Sequence, residues 1–189
     1  MKYSKIILCI FIILIIYLIH ININKGYVSY LPSLHIYPNN CQDLELMKNI
    51  MKTRTQEDID YFFKTNDSVV SAFLPYVNET ENENELTKIT TSQNHIIMFF
   101  KKIINRRRPY QIDTKLKPLS TLTSQTPAYP AGHAYQALVL SSYLSKKYPE
   151  KKELFETLAY KCNECRIKAG IHYKSDGDFS KKLFNFFNR

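Results

Sequence analysis

Leu154, Phe155, Leu158, Cys162 and Cys165 recur at intervals that return to one face of an α-helix, and strand signals are scarce along the whole chain. Only 4 glycines occur, while Lys, Leu, Ile and Glu are plentiful, so helices are favoured over a sandwich or a barrel. With 189 residues, 44% of them hydrophobic, the chain can form one modest domain with a true core plus an extra segment. The expected fold class is all-α, a compact helical bundle.

Punctuation residues place the helices. Gln42 to Lys52 and Gln56 to Lys64 read as short helices, followed by an apolar stretch from Val69 to Val77. A longer helix is expected from about Thr80 to Arg108. Thr80 and Glu83 fit a capping box, acidic residues crowd its first turn and basic ones its last. Pro109 disfavours a helical conformation in the residue before it. Tyr110 to Tyr129 is then a long connection rich in Ser, Thr and Pro, and loops of such length are often lids. Pro130-Ala131-Gly132-His133 opens a helix to about Lys147. Pro149 suits the first turn of another that runs toward Ala169 and is interrupted at Gly170, and a last amphipathic helix spans Phe179 to Phe187.

The first residues stand apart from this bundle. A short basic lead precedes an unbroken apolar run from Ile6 to Ile19, which falls short of the roughly 20 residues that cross hydrocarbon. Ile21 and Ile23 extend it if His20 and Asn22 sit in the interface. No small-x-small cleavage site follows. Residues 1–24 are therefore expected to be an uncleaved, single-pass signal anchor, 25–40 a linker and 41–189 the helical domain; the alternative is cleavage and secretion. The lysines before the run favour an exoplasmic domain. There Asn66-Asp67-Ser68 and Asn78-Glu79-Thr80 would be glycan acceptors in a eukaryotic host.

The net charge of +9 suits an anionic substrate, an anionic membrane or nucleic acid, and equally a plain solvated surface. Cys162 and Cys165 form a C-x-x-C, which invites a redox or zinc reading. Their helical spacing makes them core-facing small apolar residues instead. A disulfide from Cys41 to one of them stays open in an oxidising compartment.

Three segments carry chemistry. Lys101 and Arg108 are seven residues apart; on one continuous helix they would lie about 20° apart and two turns separated, able to hold a dianion from two directions. Gly132, at a helix start, lets an oxyanion approach backbone N–H groups that the helix dipole already favours, and His133 follows it as a proton donor. Asp176 sits four residues after His172, so its carboxylate can take one ring nitrogen and fix the tautomer. Arg166, before the Gly170 break, can grip a phosphate bidentately.

These segments, in this order, resemble the superfamily of type 2 phosphatidic acid phosphatases and vanadium haloperoxidases. That family's pattern is a Lys, six residues and Arg-Pro; then Pro-Ser-Gly-His; then Ser-Arg, five residues, His, three residues and Asp. Lys101 to Arg108-Pro109 matches in full. Pro130-Ala131-Gly132-His133 carries Ala131 in place of Ser, and Cys165-Arg166…His172…Asp176 carries Cys165 in place of Ser. The resemblance covers Lys101 to Asp176 and is closest to the soluble acid phosphatase branch.

What the resemblance implies is a phosphatase acting on phosphate monoesters, soluble or lipid, without metal or cofactor. Lys101, Arg108, Arg166 and the Gly132 N–H would cradle the phosphate. His172, oriented by Asp176, would attack phosphorus; His133 would protonate the leaving oxygen and later activate water. Losing the Ser hydroxyl at Ala131 removes one hydrogen bond to phosphate, a modest effect beside the loss of a charged donor. The alternatives are a vanadate-dependent haloperoxidase and a catalytically weakened, membrane-anchored binding protein. A nucleic-acid role for Arg106-Arg107-Arg108 is not expected, because no nucleic-acid motif accompanies the run.

Overall fold

The computed structural model describes residues 2–23, 26–27, 33–78, 81–119 and 122–188, and among these there are helices and no strands. The helices are α1 (Lys2–Ile23), α2 (Asn40–Met51), α3 (Gln56–Lys64), α4 (Val70–Phe73), α5 (Glu83–Thr91), α6 (Asn94–Ile104), α7 (Pro109–Ile112), α8 (Gly132–Lys147), α9 (Lys152–Lys168) and α10 (Lys174–Phe187). Short 3₁₀ turns follow α4 at Leu74–Tyr76, precede α8 at Leu122–Gln125 and precede α9 at Pro149–Lys151.

The centre is the antiparallel pair α8 and α9, joined through Tyr148 and the Pro149 turn. Ala137, Leu140 and Leu144 of α8 and Phe155, Leu158, Ala159 and Cys162 of α9 form one core with Val70 and Phe73 of α4 and Leu86 of α5. Small residues at 137, 159 and 162 leave room for the two backbones to approach. Ile97 of α6, Tyr135 and Val139 of α8 and Leu183 of α10 form a second cluster on the other flank. Leu44 and Met47 of α2 pack with Ala128, Ile167 and Tyr173. Cys162 is a buried free thiol in the first core, Cys165 is a buried free thiol beside Phe62, Ala169 and Ile171, and Cys41 is free and exposed.

Three expected boundaries move. The single helix from Thr80 to Arg108 is two. Thr90, Thr91 and Ser92 turn their hydroxyls back onto carbonyls at Thr87, Thr87 and Ile89, which competes with helix continuation, and α6 starts afresh at Asn94. Asn82 caps α5 through its side chain; Glu79 and Thr80, with the capping box and second glycan triplet read on them, lie outside the described residues. The second helix ends at Ile104, not at Arg108. Asn105 adopts the left-handed conformation (φ 50°, ψ 47°) and returns its N–H to Lys101 O, the ending Asn supports best after Gly. The last helix starts at Lys174, five residues before Phe179, because the Asp176 carboxylate accepts the Tyr173 N–H and so caps the first turn.

α1 is helical throughout, and its described side chains from Ile6 to Ile16 are exposed. Among the described residues no helix is long and apolar enough to cross a membrane.

Candidate active site

The Asn105 turn decides the first part of the site. Beyond it the chain runs extended, and Arg106 and Arg108 point inward while Arg107 points to solvent, the alternation of an extended segment. Lys101 and Arg108 therefore do not share a helix face. They meet by gripping the same stretch of backbone: Lys101 Nζ donates to Pro127 O at 2.5 Å, and Arg108 Nε donates to Thr126 O at 2.7 Å. Arg106 O accepts the Ala128 N–H at 2.9 Å and fixes that stretch in place.

Arg108 then reaches the third motif. Its Nη1 donates to Ile171 O at 2.8 Å and lies 3.0 Å from His172 Nε2. His172 Nδ1 is 2.9 Å from Asp176 Oδ2. A guanidinium only donates and a carboxylate accepts, so the proton belongs on Nδ1 and the Nε2 lone pair faces Arg108. Burial, then the charges of Arg108, Lys101, Arg166 and Arg106, hold the His172 imidazole well below its usual range. A neutral ring with its lone pair toward a cation cluster can act as a nucleophile once an anion occupies that cation.

Gly132 opens α8 beside Lys101. A Cβ there would come within 3.3 Å of Ile97 Cγ2 and 3.8 Å of Lys101 Cε, so the absence of a side chain lets the helix end approach the lysine. Ala131 supplies no side-chain cap to α8, which leaves first-turn N–H groups that an anion can take up. Ala131 is itself held from α10: its N–H donates to Asp176 O, and its carbonyl accepts from Ser180 Oγ.

His133 and Arg166 are held by a different element, the end of α3. Arg166 Nη1 donates to Thr65 Oγ1 at 2.5 Å and Nη2 to Thr65 O at 2.7 Å, while its Nε is buried with no hydrogen-bond partner. His133 Nε2 lies 2.9 Å from Asn66 O, so Nε2 carries a proton. Burial and the charges of Arg166, His172 and Lys101 push His133 well below the usual imidazole range. Those charges place it in the same electrostatic field as the others. Cys165 Sγ accepts from Arg166 Nη1 and donates to Cys162 O, so sulfur at this position serves the packing of α9.

Burial also lowers Lys101 well below the usual amine range, with Arg108 adding to the push, and takes Arg108 down to about 10. Asp176 is driven upward by burial, against Arg106, the Tyr173 N–H, Lys101 and Arg108. Among the described residues no cluster of His, Cys, Asp or Glu could hold a metal ion.

Several residues around this cluster were not legible as site residues. Asp43 and Thr65 carry no local signal, Arg106 stands out only within the basic run Arg106-Arg107-Arg108, Asn66 only within a glycan triplet, and Thr126 only within the long connection. Arg106 had one available signal, its place two residues before Arg108 in a segment that a pre-proline position makes extended. A groove of about 770 Å³ between α8, α9 and α10, bordered by Ser141, Asn163, Lys174 and Lys181, contains none of the predicted site residues.

No protein-family model and no curated protein matches the sequence. The structure is similar to the crystal structure of the first transmembrane PAP2-type phosphatidylglycerolphosphate phosphatase from Bacillus subtilis, with a TM-score of 0.55 and 18% identity over 93% of this chain and 90% of that one. The helical bundle that carries the three motifs is thus the PAP2-type fold, that of the superfamily they resemble.

Proposed function

We propose that this chain is a phosphatase that hydrolyses phosphate monoesters through a phosphohistidine at His172, with no metal ion. The observation that carries the reading is His172 held between Asp176 and Arg108, its Nε2 facing a cation and its Nδ1 proton fixed. The phosphate takes the place of the carbonyls that now occupy Lys101 and Arg108, and adds the Arg166 Nε–H and the α8 N–H groups. Its negative charge offsets the push of the neighbouring cations on His133 and favours the protonated ring, which then has a proton to donate. His172 Nε2 forms a bond to phosphorus as the ester P–O bond breaks, and His133 gives its proton to the departing oxygen. Water then attacks the phosphohistidine, His133 takes back a proton, and inorganic phosphate leaves with His172 neutral. Phosphoryl transfer asks chiefly for positioning and charge stabilisation, which fixed cations can supply. The same cations repel a divalent ion.

The similar bacterial enzyme acts on a lipid phosphate, which favours including lipid esters beside soluble ones as substrates. The exposed apolar side chains of α1 would rest the domain against a membrane surface; recovery of the full chain with membranes, carrying its own N-terminus, tests this, and a soluble mature form starting near residue 25 refutes it. Rapid quenching with radiolabelled ester should trap an acid-labile, base-stable phosphoryl group on the wild type and none on His172→Ala. Activity should survive EDTA and be blocked by vanadate. Label persisting in His172→Ala, or activity lost to EDTA and restored by zinc or magnesium, would overturn the mechanism.

A further inference from the structure

Arg106 has no place in the proposed phosphate cradle, yet it is fully buried and bonds to the residues that support the site. Its Nη1 donates to Asp176 Oδ1 at 2.7 Å and to Ser175 Oγ at 2.7 Å, its Nη2 to Asp43 Oδ2 at 2.8 Å and its Nε to Asn40 Oδ1 at 3.1 Å. Its guanidinium carbon lies 3.8 Å from the Tyr173 ring centroid, 4.5 Å from Tyr37 and 5.6 Å from Tyr129. Ser175 Oγ also bonds to Asp43 Oδ2, closing the network. A buried arginine fixed at each of its three guanidinium nitrogens and boxed by three aromatic rings can neither swing toward substrate nor be reached by it.

Its position divides the Asp176 carboxylate. Oδ2 serves His172 Nδ1 and the Tyr173 N–H, and among the described residues Oδ1 serves Arg106. Asp176 has no exposed surface. An isolated buried carboxylate neutralises instead of keeping its charge, and a neutral Asp176 could donate a proton to His172 Nδ1 in place of accepting one. The imidazole proton would then shift to Nε2, toward the Arg108 guanidinium and away from the nucleophile's role. We propose that Arg106 is a positioning residue: it keeps Asp176 ionised and so holds His172 in the tautomer with a bare Nε2, while Asp43 on α2 anchors Arg106 and shares its charge. The groups facing Asp176 are Arg106, Lys101, Arg108, His172, Tyr129 and Tyr173, with Asp43 behind Arg106.

This inference rests on the phosphatase reading only for its consequence, and its test does not need turnover. The pH at which His172 loses its Nδ1–H tautomer can be read in the full chain by ¹⁵N-histidine NMR, with the signal assigned from His172→Gln. Arg106→Gln should move that midpoint to higher pH, and Arg106→Lys, which keeps the charge, should hold it near the wild type. Asp43→Asn should move it to lower pH, because Arg106 then spends its charge on Asp176 alone. Opposite directions for Arg106→Gln and Asp43→Asn are the signature, since a general loosening of the fold moves both the same way. If Arg106→Gln does not fold, the Arg106→Lys and Asp43→Asn pair still decides. An unchanged midpoint in Asp43→Asn, or shifts of one sign throughout, overturns the proposal. Under the phosphatase reading Arg106→Gln also loses about 10²-fold in kcat with KM little changed, as a misplaced catalytic group does. The expected NMR shifts in a wild type that turns over no phosphate ester would support the coupling and overturn the phosphatase reading alone.

Discussion

Gly177 lies in the first turn of α10, next to Asp176, where helix propensity favours alanine by about 1 kcal/mol. The structure opposes that substitution. A Cβ at 177 would stand 2.1 Å from Asn163 Oδ1 and 2.6 Å from both Cγ and Nδ2. Ordinary contact begins at 3.4 Å, so the Asn163 amide must retreat by about 1.3 Å, the difference between 3.4 and 2.1 Å. The obstruction is the end of one side chain at the border of the groove, so the cost falls within the roughly 1–3 kcal/mol typical of overpacking and reaches its top only if Asn163 is held in place. Net of the helix gain, Gly177→Ala should destabilise by up to about 2 kcal/mol. At about 2–4 °C per kcal/mol for a domain of this size, Tm falls by at most about 4–8 °C. Asn163→Ala removes the obstruction, and in that background Gly177→Ala should raise Tm by about 2–4 °C. Thermal unfolding of the four purified chains, followed by circular dichroism, reads this cycle, and the sign reversal is the decisive quantity. Because α10 carries Asp176, the single variant should also lose kcat while the double variant recovers part of it. A higher Tm for Gly177→Ala alone, or an effect of one sign in both backgrounds, would refute the steric account.

Lys101 is depressed by burial and by Arg108, so it loses its proton as pH rises through that lowered value, and kcat/KM should fall on the alkaline side. Lys101→Arg, which stays charged, should carry that fall to higher pH at a reduced rate; a limb that does not move would clear Lys101 of it. His133→Ala should lose about 10²–10⁴-fold in single-turnover phosphate release from alkyl esters but far less from p-nitrophenyl phosphate, whose leaving group needs little protonation. Equal losses on both would remove His133 as the acid.

The sequence determined the helical class, because a 3.6-residue periodicity survives whatever surrounds it, and proline and glycine mark where it stops. It placed the opening of α8 from Gly132 and the 3₁₀ turn that leads into α9 from Pro149, three residues ahead of the helix itself, and it put Cys162 and Cys165 in the core. It also singled out His172 and Asp176 as a pair, since their contact is only four residues long. It could not place Lys101 and Arg108 relative to one another. Their juxtaposition depends on a left-handed Asn105 and on a backbone stretch more than fifteen residues downstream, and neither leaves a periodic trace. The same holds for Asp43, Thr65 and Arg106, which act across separations of 63 to 101 residues. A charged residue reads as surface until some distant partner is known to meet it, because burial of a charge is worthwhile only where the fold supplies the opposite one. Local physics wrote the helices into the sequence, and only the tertiary structure decided which buried charges would meet.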